Sequence, residues 1–328
     1  MIRALFYVEQ NYCYAILRPL QQEILHRGGE VRWFLVGDEV DQEFLVNEEH
    51  RLSSVSEVKR WSPNVVFVPG NVVPRFIPGL KVAVFHGFNA SKVNRRGRQD
   101  HFEIRNCFDL YCTQGPNTTE PFNTLKAEHG FFDVVETGWP MVDPLFQLQE
   151  ANPYVASGDP RPTVLFCSTF SRKYSCAEKV FDEVARLKAT GRYRWLVQFH
   201  PKMPVEIVDK YKKLQDEHLQ FVETDNVIPL LQAADAMLCD TSSILLMFLL
   251  LKKPVVTINN QSPGSHLIDI DRACDIEPSL ERALSHPHDV IQKIESYCQQ
   301  MHPYSDGHSS ARVLEAVERA WAKGLNVT

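Results

Sequence analysis

Four stretches of the 328-residue chain set oxygen-binding or proton-moving side chains directly behind an apolar run. His86 follows residues 81–85 and precedes Gly87, in VFHGFNASK; His200 follows residues 195–199 and precedes Pro201 and Lys202, in VQFHPK. Ser168 and Thr169 follow residues 163–167, with Arg172 and Lys173 beyond, in VLFCSTFSRK. Asp240 closes the run 236–239, and Thr241, Ser242 and Ser243 lead into the apolar residues 244–251. An imidazole near neutral pH can take a proton from a hydroxyl or give one to an anion. Hydroxyls and backbone N–H groups where a helix opens suit a phosphate. All four positions therefore carry groups that bind oxygen anions or move protons.

Each of these residues also has an ordinary structural use. Thr241, Ser242 and Ser243 are common helix caps, and Asp240 before a helix serves more often as a cap or turn residue than as a catalytic carboxylate. A single histidine after a buried strand often does no more than bond a backbone carbonyl. Gly87 fits a tight turn, and Arg172, Lys173, Arg95, Arg96 and Arg98 fit solvated loops. Two histidines at matching positions in separate halves of the chain weigh against the ordinary reading.

The elements that must position these groups alternate. Residues 2–8 read as a strand, 14–27 as an amphipathic helix ended by Gly28 and Gly29, and 31–36 as the next strand. The stretch 38–61 is charged and helical in character. Runs 65–68, 81–85, 110–113 and 131–135 are short buried strands, with a helix over 116–129. Turn formers cluster between Pro144 and Pro162 and mark a linker. Strands then recur at 163–167, 195–199, 219–222, 236–239 and 255–258, separated by helices such as 176–190 and 205–218, and 280–323 is helical with a break at His302 and Pro303. Within this half, Lys252 and Lys253 sit where a helix C-terminus favours cations and Pro254 ends the helix, so 236–258 forms a strand, turn, helix and parallel strand.

The pattern predicts an α/β protein with two Rossmann-like, doubly wound parallel-sheet domains. Residues 1–150 form the acceptor-side domain with His86, 151–305 the nucleotide-binding domain, and 306–328 a C-terminal helix returning toward the first. Such sheets bind ligand beyond the carboxyl ends of their strands, which are expected to face each other across a cleft. A length of 328 residues with 44% hydrophobic composition supports two cores. The net charge of -6 argues against a nucleic-acid-coating protein. Eight scattered cysteines without a CxxC pair read as reduced thiols. The N-terminal residues enter directly into a strand without a signal-peptide pattern, and no apolar run is long enough to span a membrane, so a cytoplasmic location is expected.

The motifs VFHGFNASK, GWPMVD from Gly138, LFCSTFSRK, QFHPK, LLQAADAMLCDTSS and DGHSSARV from Asp306 stand in the order of a known family. In them the chain resembles the CDP-glycerol glycerophosphotransferases, the teichoic-acid polymerase and primase family of GT-B fold. The resemblance implies transfer of glycerol phosphate from CDP-glycerol to a hydroxyl of a polymer or glycan, with release of CMP. It makes His86 the general base, and it makes His200, Thr241, Ser242 and Ser243 ligands of the donor diphosphate, joined by Thr169, Arg172, Lys202, Ser309 and Ser310. Gly87 and Asp240 support the site, and Asp306 and Arg312 organise the turn into the last helix.

Four positions depart from the family pattern: Thr241 replaces an aromatic, Met141 and Val142 replace an arginine and an asparagine, and Phe88 replaces a threonine. They bear on which polyol the donor carries. No DxD motif follows a strand in the first domain and no His or Cys pair has zinc-like spacing, so neither a metal nor another cofactor is expected. An acceptor on a lipid carrier would require peripheral association with the inner face of the membrane through a surface patch or a partner. Two other readings stay open at this level: a GT-B glycosyltransferase using a nucleotide sugar, and a non-catalytic binding module of the same fold.

Overall fold

The computed structural model describes residues 1–46, 48–88, 100–147, 152–155, 157–224 and 226–324; residues 89–92 of the first histidine motif, together with Arg95, Arg96 and Arg98, lie outside them. The chain forms two compact units, Met1–Gln147 with Gln299–Thr328, and Leu148–Cys298.

The first unit is built on a seven-stranded sheet. Its strands are β1 (Arg3–Val8), β2 (Glu30–Leu35), β3 (Arg51–Leu52), β4 (Val65–Val68), β5 (Leu80–Ala83), β6 (Leu110–Thr113) and β7 (Asp133–Glu136). They lie in the order β3-β2-β1-β4-β5-β6-β7, every pairing parallel. The central strands are apolar on both faces because helices cover both. Those helices include α1 (Tyr12–His26), α2 (Val55–Trp61) and α3 (Pro116–His129). Pro116 opens α3 and Gly130, at φ 74°, closes it.

The second unit carries a six-stranded parallel sheet in the order β10-β9-β8-β11-β12-β13. The strands are β8 (Thr163–Ser168), β9 (Arg194–Phe199), β10 (Leu219–Phe221), β11 (Ala236–Cys239), β12 (Val255–Ile258) and β13 (Ile268–Ile270). Helices α4 (Phe181–Ala189), α5 (Val205–Lys212), α6 (Ile228–Ala233), α7 (Ile244–Leu250), α8 (Ile276–Leu284) and α9 (His288–Met301) connect and follow them. In both sheets the chain order reverses once, between β1 and β4 and between β8 and β11, which is where doubly wound sheets open a crevice for ligand.

Several expectations shift. The stretch 38–61 holds the short strand β3 and only seven residues of α2, and β13 was not foreseen. The helix expected from residue 176 begins at Phe181, because the backbone before it is drawn to Asp240. Lys253 serves a helix other than its own: its ammonium donates to the carbonyls of Gln232 (2.9 Å) and Ala234 (2.6 Å) at the end of α6. All eight cysteines are free thiols, seven of them buried. Among the described residues no helix is long and apolar enough to cross a membrane.

Helix α10 (Ser309–Ala322) belongs to the first unit and packs against α1 and β6. The chain leading to it passes so close to the start of α3 that a Cβ on Gly115 would lie 2.6 Å from the Met301 carbonyl oxygen. His302 then fastens the segment. Its Nδ1–H donates to the Tyr304 carbonyl at 2.8 Å, and its Nε2 accepts the Trp139 amide at 2.9 Å, so the ring must be neutral. Burial holds its pKa down at about 4.

The consequence for stability has a definite sign. The unfolded chain takes up this proton below about pH 6.5, whereas the folded ring resists it down to about 4. The stability His302 confers is complete above the unfolded pKa and is lost as pH falls toward 4. Urea unfolding between pH 7 and pH 4 should show a loss of about 3 kcal/mol from this group, and that part of the slope should vanish in His302→Gln. A wild-type slope unchanged by the substitution would show that the ring is not the titrating group.

Candidate functional site

His86 is aimed by strain. Phe85 adopts φ 59°, a left-handed conformation that costs a bulky residue roughly 1–3 kcal/mol. Packing offsets the cost: its ring sits 4.9 Å from that of His101 and 5.4 Å from that of Phe122, and its carbonyl accepts the Trp139 indole N–H at 3.2 Å. The chain turns there and leaves His86 exposed. The His86 Nδ1 lies 3.0 Å from the carbonyl of Pro69, just beyond β4. A carbonyl only accepts, so Nδ1 carries a proton, and in the neutral ring Nε2 is the nitrogen with the lone pair, the form a general base requires. Among the described residues no atom lies within 4 Å of where a Cβ on Gly87, the residue after His86, would stand.

Two neighbours escaped the sequence reading. Glu9 directly follows β1, and its carboxyl lies where a Cβ on Gly70, the residue after Pro69, would stand. Burial raises its pKa. Tyr12, the first residue of α1, is 42% exposed with its ring centroid 5.5 Å from that of His86. The signal was present, since EQNY directly follows the first strand.

In the second unit Asp240 is the organising residue. It is fully buried at the end of β11 and accepts from the Ser168 hydroxyl (2.5 Å), the Thr169 amide (3.0 Å) and the Cys176 amide (3.0 Å). The carboxylate thereby folds the loop after β8 back onto the sheet at the strand-order reversal. Its own carbonyl accepts from the Asn260 side chain at 2.9 Å, and the Thr241 hydroxyl accepts the Gln261 amide at 3.1 Å. Ser243, at the cap position of α7, makes no side-chain capping bond, so the ordinary capping role is not realised there.

His200, beyond β9, is the converse of His86. Its Nδ1 accepts the Lys202 amide at 3.0 Å, and an amide only donates, so the proton resides on Nε2. Burial, then the Lys202 charge, lowers its pKa and keeps the ring neutral. Phe170 packs against it at 4.5 Å. The result is a neutral N–H donor suited to an anionic oxygen. Arg172 pairs with Glu206 at 3.2 Å on the surface, both ends well exposed, an arrangement of little stabilising value.

The structure corrects the expectation for Ser309 and Ser310. Both are buried, and their amides donate at 2.8 and 2.7 Å to the Asp143 carboxylate, which already fills the start of α10 where a phosphate would sit. They anchor the helix. Arg312 pairs with Asp306 and lies 4.0 Å over the Tyr304 ring, holding the turn into α10. Among the described residues no cluster of His, Cys, Asp and Glu is arranged to hold a metal ion.

Two doubly wound parallel sheets in one chain define an α/β protein of the GT-B class. The solved wall teichoic acid polymerase TagF matches over 98% of this chain and 90% of its own, with a TM-score of 0.70 at 12% identity. The Staphylococcus aureus MnaA–UDP structure matches over 98% and 97%, with a TM-score of 0.66 at 13% identity. At such identities these likenesses speak for fold alone. The family model of CDP-glycerol:poly(glycerophosphate) glycerophosphotransferase matches residues 89–262, more than half of the chain. The chain belongs to that family. It is also 26% identical over 241 residues to the teichoic acid glycerol-phosphate primase of Bacillus subtilis (strain 168), an alignment that spans 68% of this chain and 62% of that one.

Proposed function

We propose that the protein transfers glycerol phosphate, or a related polyol phosphate, from a CDP-linked donor to a hydroxyl of a cell-surface glycan or polymer. The acceptor oxygen attacks the phosphorus that bears the polyol, and the phosphoanhydride bond to CMP breaks. The acceptor proton passes to Nε2 of His86, and CMP leaves with the electron pair. Nε2–H of His200 donates to the diphosphate, with Thr169, Thr241, Ser242, Ser243, Lys202 and Arg172 as further ligands. An acceptor borne on a lipid would bring the protein to the inner membrane surface.

The observation that supports this most is the pair of opposite tautomers. The Pro69 carbonyl makes His86 an acceptor at Nε2, while the Lys202 amide makes His200 a donor there. Transfer to a hydroxyl needs one of each. The test is a donor panel: purified protein with CDP-glycerol, CDP-ribitol, UDP-sugars and CMP-sugars, following nucleotide release. CMP from a CDP-polyol is the expected product. Consumption of nucleotide sugars alone would make the protein a sugar transferase, and an inert panel with intact nucleotide binding would make it a binding module.

A further inference from the structure

The crevice of the first unit contains more than a base. β1, β4 and β5 are neighbours in the sheet, and their carboxyl ends carry Glu9, Pro69 with Gly70, and His86 respectively. Glu9 lies over Gly70, where any side chain would collide with its carboxyl, and the preceding residue fixes His86. The carboxyl thus lies beside Gly70, and the imidazole is bonded to the preceding backbone position. Tyr12 presents an exposed ring tilted by 30° to the imidazole, and among the described residues nothing lies within 4 Å of where a Cβ on Gly87 would stand.

We propose that Glu9 and Tyr12 form the acceptor seat beside His86, and that this seat selects a diol end, one hydroxyl for Nε2 of His86 and the next for the Glu9 carboxyl. The proposal rests on the transferase reading for its chemistry but not for its geometry. The Tyr12 ring supplies a flat apolar wall for the carbon chain of a polyol or sugar, and a few convergent polar groups against such a wall are what orient a small hydroxylated ligand. A simple alcohol fills only half of the polar set and leaves Glu9 without a partner. Discrimination against a missing hydroxyl is strong where the site's own polar group is left unpaired.

The experiment uses the intact protein with glycerol and propan-1-ol as probes. Saturation-transfer NMR without donor should show contact with glycerol well above that with propan-1-ol. Glu9→Ala and Tyr12→Ala should each reduce the glycerol signal, whereas Tyr12→Phe, which keeps the wall, should retain it. With CDP-glycerol as donor, the KM for glycerol should rise about tenfold in Glu9→Ala, as expected for one lost hydrogen bond to a charged group, while the donor KM stays unchanged. Circular dichroism melting confirms that the variants are folded. Equal contact by both probes, or glycerol contact unaltered in both alanine variants, overturns the seat. If wild type leaves CDP-glycerol intact, the transferase reading fails by itself, and the NMR comparison still decides whether the seat exists.

Discussion

His86→Ala should lower turnover of a CDP-polyol by about 10²–10⁴-fold, the range a positioned general base contributes. The size follows from geometry. The Pro69 carbonyl occupies the Nδ1 proton, so in the neutral ring the lone pair is on Nε2, the nitrogen directed away from that carbonyl. The loss should fall on kcat. Affinity for CMP, measured by calorimetry, should be unchanged, because His86 belongs to the first unit and the diphosphate ligands are assigned to the second. Turnover within about threefold of wild type would assign the proton to another group, since removing a true base cannot cost so little.

The second large effect is expected at Asp240. Replacing it with alanine removes the acceptor of the part-buried Thr169 amide and the buried Cys176 amide, while the Ser168 hydroxyl keeps the Ser175 hydroxyl at 2.8 Å. Donors left without partners cost about 1–3 kcal/mol each, so a total of roughly 2–4 kcal/mol is expected for the two amides, lowering the melting temperature of this unit by roughly 4–16 °C. Asp240→Asn should not restore it, because an amide turns an N–H toward donors that need an acceptor. Nucleotide affinity should fall as well, since the loop after β8 carries Thr169. Calorimetric melting with and without CMP separates the two losses. A melting profile like that of wild type would mean that the carboxylate is dispensable to the loop.

Much of the architecture was legible locally. Short apolar runs with Pro and Gly punctuation marked the strands β4, β6, β11 and β12 at their actual bounds, and the helix over 116–129 coincides with α3. What escaped was short or stabilised from afar. β3 has two residues and β13 three, too few for periodicity to register. The position of β13 depends on pairing with β12 and on Asp269, which accepts from the Thr257 hydroxyl at 2.7 Å. The serines of DGHSSAR looked like phosphate ligands because their type and local pattern suit a helix start; nothing local revealed that Asp143, more than 160 residues earlier, occupies that place.

By itself the amino-acid order determined two α/β sheets, their parallel character and the family, because side-chain periodicity and motif order are properties of neighbouring residues. Only the tertiary structure decided which nitrogen of each histidine bears the proton, that Asp240 is a clamp, and that Glu9 and Tyr12 flank His86. Those outcomes depend on carbonyls, amides and strand ends that the sheet brings within about 3 Å of one another across long stretches of chain, and no local pattern encodes such a meeting.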